Sequence, residues 1–333
     1  MTIKKQNIAI IGAGIAGLSL ANMLNDVVNI EVFEKSRGYG GRVATRYNED
    51  FVFDHGAQFF TVKNEKFKKF IQPLIDKEIV GIWNAKFVEI DGNKITHKKD
   101  WNSHYPHYVG VPKMNAICKY LSNNIETNLN IEVKRIEKSN NNKWQLFDSD
   151  SNYLGNFDWV ICSAPAFQAQ ELLPLEFAHH DKLQSIKMLG CYALMLSFKN
   201  KLNVDWDAAL VKNSNLSWIS FNSSKPARNS SNAVVALASN SWADENIEAD
   251  LEIVKTEMLN SLSQIVKFSD QDLLDCNIHR WKYANIGKNN QFKYLLDQDK
   301  KLAAIGDWCI QGRIESAFIS ADQLHNQIIK LIS

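Results

Sequence analysis

The stretch Ile8–Leu24, "IAIIGAGIAGLSLANML", decides the fold. Lys4 and Lys5 precede it and it is almost wholly apolar, the outline of a secretory signal peptide. A signal peptide, however, needs an unbroken apolar segment and then a small-residue cleavage site. Here Gly12, Gly14 and Gly17 interrupt the segment, and "NDVVNIEVFEK" follows, a second strand-like run. Ile8–Ile11 suits a buried parallel strand, Ile15–Leu24 a helix, and Ile30–Phe33 a neighbouring strand that ends at Glu34. Each part has a physical job around a phosphate. Gly12 allows the tight turn, Gly14 lets a pyrophosphate reach the backbone, and Gly17 permits close helix–strand packing. The helix N-terminus offers free N–H groups and its positive end. Glu34 falls at the distance where a carboxylate accepts the ribose hydroxyls of an adenosine. The segment is a dinucleotide turn.

The next residues select the dinucleotide. A simple NAD-dependent dehydrogenase enters another strand–helix unit at this point. Here "EKSRGYGGR" runs instead through Gly38, Gly40 and Gly41 to Arg42, a loop suited to a long, extended cofactor with Arg42 forked onto its pyrophosphate. "FDHGAQFF" (Phe53–Phe60) then forms a compact turn between apolar flanks. Far along the chain stands "KLAAIGDWCIQGRIESAFISADQLHNQIIKLI". Leu302–Ile305 reads as a short strand, Gly306-Asp307 as a turn, and Ile314–Ile332 as an amphipathic helix. Asp307 is placed to bind a ribityl hydroxyl, and the free N–H groups near Glu315 and Ser316 suit the flavin pyrimidine edge. Two distant segments sharing one cofactor site point to FAD.

Bulk composition sets limits. At 333 residues the chain is long enough for two domains. Its 38 Lys+Arg balance 37 Asp+Glu, so no strong field favours nucleic acid or an anionic membrane. No apolar run has the length of a membrane span. Cys118, Cys162, Cys191, Cys276 and Cys309 are scattered without a CxxC or Cys/His pattern. We therefore expect no disulfide framework, no metal site and a cytoplasmic protein with reduced thiols.

Further along, Asn64–Lys77 reads as an amphipathic helix, and Ile82–Ile95 as a hairpin about "DGN". Met114–Leu121 reads as helical, and Ile131–Ile136 and Trp144–Phe147 as strands around "KSNNN". "DWVICSAPAF" is a buried strand ending in small residues. From Ala166 the pattern turns to antiparallel strands, "CYALMLSF", "SWISF" and "AVVALAS", then a helix (Glu248–Leu262) and the strand "NIHRW". "NSSKPARNSSN" reads as an exposed loop, with Lys225 and Arg228 as solvated charge or, alternatively, contacts to substrate phosphates.

The set "GAGIAGL…FEKSRGYGGR…DHGAQFF…HRWKY…GDWCIQGRIESAFISA" resembles the bacterial renalase-like flavoproteins, a branch of the FAD-dependent amine oxidase superfamily. The resemblance runs along nearly the whole chain. It implies an α/β fold with a glutathione-reductase-type FAD-binding Rossmann domain (1–75, 106–165 and 279–333). A second, α+β substrate domain of the p-hydroxybenzoate hydroxylase kind would take 76–105 and 166–278. It implies oxidation of 2- or 6-dihydro isomers of NAD(P)H, with hydrogen peroxide formed on reoxidation by oxygen. Ala13, Gly14, Ile15 and Ala16 match the pyrophosphate turn, Glu34 and Lys35 the ribose contacts, and Arg42 the diphosphate contact. Ala57, Gln58 and Phe59 match the loop against the flavin ring, Val133 the adenine contact, and Asp307, Ile314, Glu315 and Ser316 the ribityl and pyrimidine side.

Hydride transfer from a dihydropyridine needs no nucleophile or base, because the ring nitrogen expels the hydride; it needs a flat ring held against the flavin. Candidate walls are Phe59, Phe60, Trp218, Trp281, Tyr283 and Trp308, with His279 and Arg280 as candidate substrate contacts. Cys309 follows "GDW" rather than a flavin-attachment motif, so noncovalent FAD is expected, with Cys309 as packing. The substrate is read as a small-molecule dinucleotide and oxygen as the acceptor, with the oligomeric state left open. The alternatives are a flavin-dependent amine oxidase and a flavin-binding redox module without turnover.

Overall fold

A computed structural model describes residues 5–47, 51–228, 232–287, 290 and 292–332. The chain divides into two compact units, residues 1–42, 117–188 and 286–333 in the first and 43–116 and 189–285 in the second.

The first unit is built on the predicted strand–turn–helix. Strands Asn7–Ile11 and Asn29–Glu34 pair in parallel, with the helix Ile15–Leu24 between them. Their sheet runs in the order Leu295–Asp297, Leu302–Ala304, Trp159–Cys162, Asn7–Ile11, Asn29–Glu34, Glu126–Leu129. Only the Leu295–Asp297 edge is antiparallel. Its central strands are continuous apolar runs, as a sheet covered on both faces requires. The helix Ile314–Ile332 has the predicted bounds and packs on Ile15–Leu24. A separate antiparallel meander, Val133–Lys138, Trp144–Asp148 and Tyr153–Phe157, shares the core of Ala9, Phe33, Val160, Leu302 and Trp308.

The second unit is a seven-stranded sheet. Its order is Leu273–Ile286, Met188–Phe198, Asn232–Ala238, Leu216–Phe221, Ala208–Lys212, Lys86–Asp91, Lys94–Asp100. The last two strands form the hairpin read from "DGN". One face packs Leu194, Ile219 and Val234 against Val254, Met258 and Leu262 of the helix Leu251–Ile265. Asp250 caps that helix through two backbone N–H groups. Asn64 does the same for Glu65–Asp76, starting the predicted helix one residue later.

The opposite face of the sheet meets the "FDHGAQFF" segment, where Phe53 packs on Met195, Ala233 and Val235. This contact explains a shift in boundaries. Residues 43–75, 106–116 and 279–285, expected with the FAD-binding part, group with the second unit, and 166–188 group with the first.

Among the described residues, no helix is long and apolar enough to cross a membrane. None of their His, Cys, Asp and Glu side chains cluster in a set of three or more able to hold a metal.

Candidate functional site

In the first unit the glycine turn has the geometry its sequence requires. Gly12 sits at φ +109°, and a Cβ there would lie 2.6 Å from Ser163 Oγ. A Cβ on Gly17 would lie 2.2 Å from the Gly12 carbonyl oxygen, so only glycine lets helix and strand approach this closely. Gly14 differs. Its backbone is ordinary extended chain, and the nearest atom to a Cβ would be Gly40 O at 3.9 Å. The protein leaves Gly14 open, and the side that a side chain would fill is available to a ligand. Among the described residues no side chain caps the helix that begins at Ile15, which leaves its first N–H groups to meet an anion.

Glu34 is buried at the end of its strand, 7% exposed. Its two oxygens each accept one backbone N–H, from Ala13 and from Ser36, both at 2.8 Å. The carboxylate therefore holds the turn in place, and each oxygen keeps a lone pair for a ribose hydroxyl. Gly40 N–H donates to the Ala13 carbonyl at 2.9 Å, tying the second glycine loop to the first. Lys35 is exposed, and Val133 is buried at the start of the meander. Glu315 is half-buried and Ser316 buried in the first turn of Ile314–Ile332. The open glycine, the free N–H groups and the two-handed carboxylate fit the adenosine diphosphate part of FAD.

Arg42 also has a partner within the protein. Its guanidinium forks onto Asp307, with Nη1 donating to Oδ2 at 2.9 Å and Nη2 to Oδ1. The two groups assigned to the diphosphate and the ribityl chain thus pair with each other. Sequence reading missed this pair because the partners stand 265 positions apart.

Trp308 is a correction. It is fully buried in the core of the first unit, and its Nε1 donates to the Ala164 carbonyl at 3.0 Å. Apolar neighbours and a satisfied N–H make it core, not a substrate wall. Cys309 beside it is also fully buried, and burial pushes its thiol far up, which suits a packing role.

In the second unit an aromatic cluster surrounds Phe59. Its ring lies 4.9 Å from Trp101, 5.0 Å from His107 and 5.5 Å from Trp218, centroid to centroid. Trp101 stacks on His107 at 3.6 Å with 4° between planes. Phe87 and Trp218 lie within 19° and 24° of the Trp101 plane. Sequence reading named Phe59 and Trp218 and missed Phe87, Trp101 and His107. They come from a hairpin and the loop after it, with no motif to mark them.

A second group joins His55, His279 and Trp281. His55 stacks on Trp281 at 5.1 Å, His279 meets both rings edge-on, and Trp281 Nε1 donates to the His55 carbonyl at 2.9 Å. Burial, then the His279 ring and the Arg46 charge, pull His55 down to about 4. Burial and Arg46 lower His279 as well. Tyr283, two residues beyond Trp281, is half-buried on the same strand face.

Arg280 points the other way, as strand alternation requires. It donates to the Ala249 carbonyl and lies over the Tyr192 ring, so it belongs to the helix-covered side and not to the Trp281 group. Phe60 is also core. It is 5% exposed, packs on Phe67 and Tyr108, and bridges the Tyr108 backbone.

The reading of "NSSKPAR" as exposed, solvated charge is overturned as well. Lys225 and Arg228 are buried on Asp54, whose carboxylate draws both cations inward. They are neither solvated charge nor phosphate contacts. Residues 229–231 of that stretch lie outside the described residues.

Comparison with known proteins agrees with this geometry. The profile of the NAD(P)-binding Rossmann-like domain matches residues 10–74, and that of flavin containing amine oxidoreductase matches 108–324. A putative protoporphyrinogen oxidase from Exiguobacterium sp. 255-15 superposes with a TM-score of 0.77 at 12% identity, covering 98% of this chain and 99% of that one. A triple mutant of putrescine oxidase, made in a redesign of cofactor binding, gives 0.73 at 11% identity, with 98% and 99% covered. These likenesses are of fold: a Rossmann-like FAD-binding domain with a second domain. The chain belongs to the flavin-containing amine oxidoreductase family and is an FAD-dependent oxidoreductase.

Proposed function

We propose that the protein is an oxidase of isomeric dihydronicotinamide dinucleotides, taking hydride from 2- or 6-dihydro NAD(P)H and releasing NAD(P)+. FAD, held at the Gly12–Gly17 turn beside Glu34, would supply the acceptor for that hydride, and oxygen would take up the electrons as hydrogen peroxide. The observation that carries this reading is the set of near-parallel rings of Phe87, Trp101, His107 and Trp218 about Phe59. Flat, apolar faces suit a pyridine ring and exclude water from it. His107 is lowered by burial and His55 stands near 4, so both imidazoles are neutral near pH 7. Neutral rings favour a substrate that leaves as a nicotinamide cation, and a dihydropyridine requires no base. Within the amine-oxidase fold we assign the first unit to the glutathione-reductase type and the second to the p-hydroxybenzoate hydroxylase kind. FAD is held without a covalent bond, in keeping with a buried Cys309.

A second reading, amine oxidation, is favoured by the family match and by the fold likeness to putrescine oxidase. Anaerobic mixing separates the two. Bleaching of the flavin by dihydro isomers and not by amines supports dinucleotide oxidation; the reverse result supports amine oxidation. Heat or acid should release intact flavin, and flavin retained on the denatured chain would overturn noncovalent binding.

A further inference from the structure

The second unit buries two cations with one carboxylate. The side chains of Asp54 and Lys225 are fully buried, and that of Arg228 is 1% exposed. Asp54 Oδ2 accepts from Arg228 Nη2 at 2.6 Å and from Lys225 Nζ at 3.3 Å. Oδ1 accepts from Thr45 Oγ1 at 2.8 Å and Met114 N–H at 3.1 Å. Arg228 Nη1 also donates to the carbonyls of Gly110, Pro112 and Pro226. Lys225 Nζ also donates to Gln58 Oε1 at 3.2 Å.

That contact fixes an amide. Gln58 Oε1 also accepts from Ser220 Oγ at 2.8 Å, while its Nε2 donates to the carbonyls of Asp54 and Gly56. Only one of the two amide orientations satisfies all four partners. Phe59 is the next residue. A second route leads to the same cluster: Lys225 Nζ lies over the Trp83 ring at 5.2 Å, and Trp83 meets Trp101 edge-on at 5.4 Å.

We propose that Lys225 is a positioning residue whose ammonium, clamped between Asp54 and Gln58, sets the Gly56–Phe59 turn and the aromatic wall shared by Phe59 and Trp101. That the wall receives a nicotinamide ring rests on the function proposed above; the clamp itself does not. A buried ion pair is a poor source of stability compared with packed apolar groups, so orientation is the better account of its presence. The clamp depends on charge. Burial pulls Lys225 down, Asp54 opposes it and Arg228 adds to it, leaving the ammonium at about 8. Among the described residues, Asp54 and Arg228 are the charged groups that act on it, with Gln58 and Trp83 as its neutral neighbours.

The test is a titration of the FAD-loaded protein from about pH 6 to about pH 10, a range that brackets a displaced lysine. Near-UV circular dichroism reads the aromatic cluster, far-UV confirms the fold, and NAD+ serves as the binding probe. The wild type should show a near-UV transition with its midpoint at about 8 and unchanged far-UV signal. NAD+ affinity should fall about tenfold across it, as expected for a misplaced stacking wall. Lys225→Arg, which keeps its charge, should hold the low-pH spectrum throughout. Lys225→Met should show the high-pH spectrum at every pH. A flat near-UV signal in the wild type, or the same midpoint in Lys225→Met, would overturn the clamp. A transition with NAD+ binding unaffected would uphold the clamp and overturn the assignment of the wall to the substrate.

Discussion

Replacing Gly14 and Gly17 separately with alanine should separate cofactor binding from folding. The two glycines stand three positions apart, yet a methyl group meets different surroundings at each. At Gly17 it would sit 2.2 Å from the Gly12 carbonyl oxygen and 2.6 Å from Ser163 Oγ. Relief requires the helix Ile15–Leu24 to move about 1 Å off the sheet, and because the clash is with backbone the overpacking cost is at the upper end of the usual range, about 3 kcal/mol. Alanine's better helix propensity returns only about 1 kcal/mol. Gly17→Ala should therefore lose about 2 kcal/mol of stability even without FAD. At Gly14 the nearest atom is 3.9 Å away and the backbone is already one that alanine adopts. The apoprotein should be as stable as wild type, or up to about 1 kcal/mol more so. Its methyl would occupy the space through which a diphosphate reaches the turn. FAD affinity should fall at least about tenfold, equivalent to about 1.4 kcal/mol. Denaturant unfolding of the apoproteins and titration with FAD by flavin fluorescence measure both effects. Wild-type FAD affinity in Gly14→Ala, or wild-type stability in Gly17→Ala, would refute the reading of this turn.

Other expectations concern charge. Asp54→Asn leaves Lys225 and Arg228 buried without an anion and should cost about 3–5 kcal/mol in denaturant unfolding; a loss below about 1 kcal/mol would contradict the buried network. Burial would raise the Asp54 carboxyl, but Lys225 and Arg228 outweigh it and hold it at about 2, below the ordinary 3.8. Its contribution to stability is thus complete above about pH 4 and lost as pH falls through about 2, and unfolding at low pH should lose that dependence in Asp54→Asn. His55, near 4 in the folded protein and 6.5 free, takes up its proton more readily when unfolded, so stability falls as pH drops from 6.5 toward 4. His55→Gln should flatten that interval; an unchanged slope would show that His55 is not held neutral. Glu34→Ala and Arg42→Ala should each weaken FAD binding by about 1–3 kcal/mol. Unchanged affinity in both would mean the motif is misassigned.

Local features of the fold were readable, and features made by tertiary contact were not. The strand, glycine turn, helix and Glu34 were legible because one 27-residue run holds all their chemistry, with hydrophobic period and glycine spacing in agreement. The helix Ile314–Ile332 was legible for the same reason. The Arg42–Asp307 pair was not, since nothing local says that two cofactor candidates face each other. Lys225 and Arg228 sit in a polar, loop-like stretch, and their burial depends on Asp54, about 170 positions earlier. Asp54 itself carried a signal: a carboxylate between Phe53 and an aromatic run invites a buried partner. Trp308 and Phe60 were misjudged because an aromatic residue beside a motif looks the same whether it faces a ligand or the core. Arg280 was misjudged by one strand step, which sends it to the opposite face from His279 and Trp281.

The most direct test of the proposed reaction is anaerobic stopped-flow reduction of the bound flavin. The panel comprises 2-dihydro and 6-dihydro NAD(P)H, ordinary 4-dihydro NAD(P)H, and a set of primary and polyamines. The proposed reaction requires rapid bleaching by the 2- or 6-dihydro isomers, slowed by deuterium at the reacting carbon and little affected by deuterated solvent. Ordinary NAD(P)H should react far more slowly, because its hydride carbon stands out of register and small misplacements cost heavily in rate. Amines should leave the flavin oxidised. Rapid bleaching by an amine or by ordinary NAD(P)H, with no response to the isomers, would contradict it.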